Sequence, residues 1–271
     1  MKILLIVVAV LVSLVVILWI GLHIKPALFP PYVAETAEFV MQPLPDDLPE
    51  PVQRFYQTTL GDEIPLITSA VFSGRGTLRF NGITFPARYR FTHDAGQGYR
   101  HYIETTVWGR PLMKVNEWYL DNNGVLELPV GTVANEPKID MAANLGLWGE
   151  SMIMPAIYVT DERVRWEAVD ATMARLYVPF GETEDMFTVH FSPETGLLTY
   201  METMRYRDAA DTVKIGWRLD ALSWQTVDSM MVPDEMTVTW ADEGTPWLIM
   251  TADEVVYNSD VSVTIRQRGL E

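Results

Sequence analysis

The run from Ile3 to Leu22 is apolar except for Ser13, and the only side-chain charge beside its start is Lys2. Twenty residues at about 1.5 Å per helical residue span about 30 Å, the hydrocarbon thickness of a bilayer, so the run predicts a membrane-spanning helix. A cleaved signal peptide would have an apolar core of about 7–15 residues followed by small residues. Here Leu22-His23-Ile24-Lys25-Pro26 offers bulky and charged groups instead. Lipidation at a processed N-terminus needs a cysteine, and the chain has none. The reading is an uncleaved signal-anchor, residues 1–25, attached to the membrane through residues 3–22. Lys2 and the terminal amine keep its N-terminus cytoplasmic and place the domain outside.

Lys2 and Lys25 belong to the anchor region, which leaves 18 basic against 36 acidic residues and a formal charge of −18 beyond residue 27. That field opposes nucleic acid, whose capture needs a cationic face, and it opposes adhesion of the domain to anionic headgroups. With no cysteine there is neither disulfide nor thiol chemistry. Seven prolines lie between residues 26 and 51. Residues 26–46 therefore read as a proline-rich tether with at most a helical turn around Ala34–Val40. Residues 47–271 suffice for one large domain with an ample core.

That domain opens with a helix signal: Asp47 as N-cap, Pro49 in the first turn, then Val52, Phe55, Tyr56 and Leu60 at spacings of three and four, stopping at Gly61. Asn81-Gly82 joins two apolar-rich runs, Ser69 to Phe80 and Ile83 to Thr92, as a type I′ hairpin. Further strands are expected at 99–108, 112–120 and 125–130, a meander of about five. Pro137 opens a short helix, and an apolar crossing segment runs on to Ile157. Strands resume over 164–169, 172–179, 187–191, 197–205, 213–224, 236–240 and 248–257. Phe187, Val189 and Phe191 alternate with Thr188 and His190, the pattern of an antiparallel sheet wet on one side. Gly74 and Gly76, inside a strand, mark a bulge.

Residues that chemistry would use are scattered. The four histidines form no H-x-x-x-H pattern; His93 and His101 flank a hairpin turn and read as a solvated pair. Gly149-Glu150-Ser151 starts like a nucleophile elbow, but Ile153 stands where its closing glycine belongs. The acidic doublets fall at turns without the order of a calcium loop. No catalytic residue, metal site or cofactor is therefore expected. What stands out is fourteen methionines, mostly in the second half, and nine tryptophans. Such side chains build an ordinary core, or they line a surface that adapts to an apolar partner such as an acyl chain.

The segment Leu48-Pro49-Glu50-Pro51-Val52-Gln53-Arg54-Phe55-Tyr56, the Gly74-Arg75-Gly76 strand, the Trp148–Pro155 crossing, Arg163 to Asp170, and Glu254-Val255-Val256-Tyr257-Asn258 together resemble a family of uncharacterised bacterial membrane-anchored proteins. That family is similar in outline to lipoprotein carriers of the LolA and LolB type. The resemblance implies a mainly β fold: one large curved antiparallel sheet, a half-open barrel, with a few covering helices and an apolar cavity. The expected function is a non-catalytic, membrane-anchored binding protein for a lipid or other lipophilic group. Trp148, Met152, Met154, Trp166, Met204, Trp217 and Trp240 are the expected ligand-binding wall. An interaction module of an envelope complex is the alternative, and a hydrolase a third reading.

Overall fold

The computed structural model describes residues 1–270. Helix α1 (Lys2–Gly21) is long and apolar enough to cross a membrane, and its apolar side chains are exposed rather than packed on the domain. Only its last turn touches the rest of the chain. The Trp108 N–H donates to the Gly21 carbonyl at 2.9 Å, and the Trp108 indole lies over Gly21, where a Cβ would sit 2.5 Å from Nε1.

Beyond it come β1 (Val40–Pro43), α2 (Glu50–Thr59) and β2 (Glu63–Leu66), with β1 and β2 pairing as a small antiparallel ribbon. A meander follows: β3 (Ser69–Phe80), β4 (Ile83–Asp94), β5 (Gly98–Val107), β6 (Arg110–Leu120), β7 (Asn123–Leu128) and β8 (Gly131–Ala134). The chain then crosses through α3 (Pro137–Glu150), a 3-10 turn (Ser151–Ile153) and α4 (Ile157–Thr160). The second meander holds β9 (Arg165–Asp170), β10 (Met173–Phe180), β11 (Thr183–Phe191), β12 (Leu198–Arg205) and β13 (Ile215–Ala221). A separate hairpin, β14 (Trp224–Val227) and β15 (Met230–Pro233), precedes β16 (Glu235–Trp240) and β17 (Pro246–Tyr257).

The last strand returns to the first. β17 pairs with β3, and this joins the two meanders into one 13-stranded antiparallel sheet with β8 and β9 at its edges. Helix α3 touches β5, β6 and β7 from one meander and β10 and β12 from the other, so the sheet curls around it as a half-open barrel. Close approach is built in at Gly124 on β7, where a Cβ would meet Ala143 and the Ile139 carbonyl at 2.9 Å. The Gly124 N–H donates to Asp140 on α3 at 2.8 Å.

The turns explain where expected and observed strands part. Asn81 (φ 49°) and Gly82 (φ 78°) adopt the expected left-handed pair. At the turns before β6 and β7 the left-handed residues are Trp108-Gly109 and Asp121-Asn122, each pair starting one residue ahead of the expected Gly109-Arg110-Pro111 and Asn122-Asn123-Gly124 turns. Asp228-Ser229, also left-handed, makes the β14–β15 hairpin, which carries no glycine cue. Helix α2 starts on an extended Pro49 (ψ 143°), not on an Asp47 side-chain cap, and the Pro49 carbonyl accepts from Val52 and Gln53. Residues 34–40 form no helical turn; Thr36 instead bridges to Ser259.

Residues 26–37 run along the outer face of the sheet. The Ala27 carbonyl accepts from Arg88 at 3.2 Å, Pro30 accepts from Arg90, the Tyr32 N–H donates to Glu254 at 3.0 Å, and the Ala37 N–H to the Asn258 carbonyl at 2.9 Å. The Arg88 guanidinium sits 4.3 Å over the Phe29 ring, a cation–π contact. Proline's missing donor costs nothing at Pro30, whose contact to the sheet is made by its carbonyl.

Candidate functional site

Five of the seven expected wall residues meet in the core between sheet and helices. Trp148, on α3, and Met152 and Met154, just after it, are fully buried, and Trp217 and Trp240 are buried neighbours in register on β13 and β16. Trp166 is half-buried against this cluster, and its indole N–H donates to the Tyr158 carbonyl at 3.0 Å. Met204 lies apart at 54% exposure. It alternates with the buried Met201 along β12 and so faces outward. The interior is closely filled: Trp148, Tyr56, Tyr158, Phe55 and Leu145 are all sealed from solvent. A cleft of about 700 Å³ lies on the outer face, where Phe29 and Pro30 meet Tyr102, Leu112 and Arg268–Leu270.

Within this apolar interior sits a polar centre. Tyr89, Phe91 and His93 on β4, and Tyr99, His101 and Ile103 on β5, occupy alternate positions and so share the inner face. His93 is 0% exposed and His101 buried, so they are not a solvated turn pair; the end of α3 covers them. The His101 ring is stacked between Phe91 (3.8 Å) and Tyr99 (3.9 Å), and the two histidine rings are 5.6 Å apart.

Glu150 closes α3 directly onto them. Its Oε2 lies 2.6 Å from His101 Nε2 and 3.4 Å from His93 Nε2. On the other side, His101 Nδ1 faces Glu117 at 4.0 Å, and the Tyr99 hydroxyl donates to Glu117 at 2.5 Å. Arg205 packs its guanidinium 4.4 Å over Trp217 and 5.5 Å from Trp240.

Burial disfavours charge here, and each group responds to its partners. Burial alone would push the Glu150 carboxyl up; His101 and His93 overcome this and hold it well below the ordinary carboxylate range. Burial pushes His93 down, toward neutral imidazole, with Glu150 opposing. Burial also pushes the Tyr99 hydroxyl up, reinforced by Glu117 and Glu150, and lowers Arg205. The arrangement is an ionised carboxylate between two imidazoles, in a compartment sealed by aromatic rings.

The signal for this centre is present in the chain. Phe91-Thr92-His93 and Tyr99-Arg100-His101 put both histidines in phase with buried aromatics, and Glu150 is the one charged residue in the mostly apolar stretch Leu145–Met154. It goes unread when histidines are sought only at fixed metal spacings along one segment.

An apolar N-terminal helix followed by a single wrapped antiparallel sheet defines the architectural class. The chain belongs to the family described as a family of unknown function, DUF6544, whose model matches residues 38–251. No curated protein matches it. Among solved structures it is similar to a LolA superfamily protein from Nitrosomonas europaea, at 8% identity and TM-score 0.47, covering 80% of this chain and 96% of the other. It is also similar to a DUF1329 family protein from Desulfovibrio piger, at 13% identity and TM-score 0.41, covering 78% and 93%.

Proposed function

We propose that this is a non-catalytic, single-pass membrane protein, N-terminus cytoplasmic, whose extracytoplasmic domain binds a lipid or other lipophilic group between its sheet and its helical cover. The observation that carries the reading is the lining of that interface. Met152 and Met154 of the crossing segment face a curved sheet that contributes Met201, Met236 and Met250, all buried in one cluster with Trp148, Trp217 and Trp240. Thioethers repack around variable apolar shapes at little cost, and this layer is joined to the sheet by one continuous crossing segment.

The setting supports the same reading. The β3–β4 and β5–β6 turns lie at the same end of the sheet as the last turn of α1, and they expose Phe80, Ile83, Trp108 and Leu112 there. Such residues rest at a bilayer interface, which brings the domain to its ligand's source. The experiment is a titration of the full chain in nanodiscs with a fluorescent fatty acid. Saturable binding near one per chain, competed by unlabelled fatty acid, is expected. Linear, non-saturable uptake equal to that of empty nanodiscs would contradict the reading.

The filled interior favours a second reading, an interaction module that presents the open edges β8 and β9 to an envelope protein. It predicts no saturable fatty-acid binding, together with crosslinks from those two strands to a discrete partner.

A further inference from the structure

We propose that His93, His101 and Glu150 form a binding site for one divalent transition-metal ion of the zinc class. The inference is independent of the lipid reading, because it rests on the donor atoms alone. Each residue offers one donor, and the three lie within 4.8 Å of one another. They come from three different elements: adjacent strands β4 and β5, and the last residue of α3. The β4–β5 hairpin brings the two histidines side by side, and the assembled fold adds Glu150.

A simple ion pair accounts for the geometry poorly. Both Nε2 atoms lie close to the same oxygen, Glu150 Oε2, yet His93 Nδ1 and Nε2, His101 Nε2 and Glu150 Oε2 are all buried without an aligned hydrogen bond. Buried polar atoms normally find partners, and several orphans at one point share the lack of a common one. A single cation satisfies His93 Nε2, His101 Nε2 and Glu150 Oε2 together; the 2.6 Å contact opens slightly as the ligands move onto it.

The surroundings match what such a site requires. Glu117, held by the Tyr99 hydroxyl, stands 4.0 Å from the far nitrogen of His101, near enough to accept from it once the imidazole turns onto an ion. Two carboxylates, Glu117 and Glu150, and one guanidinium, Arg205, stand around the histidines. Two imidazoles and one carboxylate suit zinc and its neighbours over calcium or magnesium, and they leave a coordination position for water or a small ligand.

The test uses the untagged full chain in nanodiscs, stripped with chelator and titrated calorimetrically with Zn(II). One ion per chain is expected. Glu117→Gln should weaken binding by about 10- to 100-fold, and His93→Gln and Glu150→Gln by more, while thermal unfolding shows the variants folded. Absence of uptake by the wild type, or unchanged affinity in folded His93→Gln and Glu150→Gln, would overturn the proposal. If those variants do not fold, the wild type loaded with Co(II) decides. Intense visible bands of low-coordinate cobalt support the site, and the pale spectrum of six-coordinate aqueous ion refutes it.

Discussion

Trp148→Ala is expected to lower the unfolding free energy by about 3–5 kcal/mol, the cost of deleting a sealed aromatic side chain from a core that cannot fully collapse. Domains of this size rest on about 5–15 kcal/mol in total, so this one substitution removes a large share. The site is unforgiving for a structural reason. Trp148 sits on α3 at 1% exposure, and its carbonyl accepts the buried Tyr158 hydroxyl at 2.6 Å, which ties α3 to α4. Loss of the indole loosens the helical cover where it meets both meanders. Thermal unfolding of the full chain should shift down by on the order of 10 °C. A shift of only a degree or two would mean that the sheet and its cover are not one cooperative unit.

Gly74→Ala is expected to cost about 3 kcal/mol, although it adds a single methyl group, because overpacking against backbone has no soft direction in which to relax. A Cβ at Gly74 would lie 1.8 Å from the Thr251 carbonyl oxygen and 3.0 Å from the Tyr89 hydroxyl, which itself donates to that carbonyl. The crowding falls on the β3–β17 seam, the pairing that unites the two meanders. A bulge between Ala252 and Glu254 lies opposite, and Asp253 in that bulge accepts from the Arg75 N–H at 3.1 Å and from its guanidinium at 2.8 Å. Denaturant midpoints for wild type and variant would measure the loss. An unchanged midpoint would show that β17 does not approach β3 as described.

These two positions also show what the amino-acid pattern conveys and what it withholds. Strand alternation and the Asn81-Gly82 turn were enough to read an antiparallel sheet, because a period of two and a left-handed residue pair are local properties. The bulge beside Gly74 was legible in kind, yet its extra residue is on β17, some 180 positions away in sequence (|i−j| = 178 between Arg75 and Asp253). Turns made by Trp108, Asp121 and Asp228 were misplaced or missed, since non-glycine residues took up the left-handed conformation there. The wall residues Trp148, Met152, Met154, Trp217 and Trp240 were chosen for size and apolarity, and burial follows from those properties. Met204 shares them but sits on the opposite pleat from Met201, a matter of phase. The His93–His101–Glu150 centre required knowing that α3 ends above β4 and β5, and only the closed topology supplies that.

We propose that an apolar ligand occupies the interface between the sheet and its helical cover. Photocrosslinking tests it most directly: the full chain in nanodiscs is illuminated with a diazirine-bearing fatty acid, digested, and the labelled peptides are mapped. Labels are expected on the Trp148–Met154 segment and on the strands bearing Trp217 and Trp240, suppressed by excess unlabelled fatty acid. Labels confined to residues 3–22 and to the exposed rim around Ile83, Trp108 and Leu112, insensitive to competitor, would contradict it.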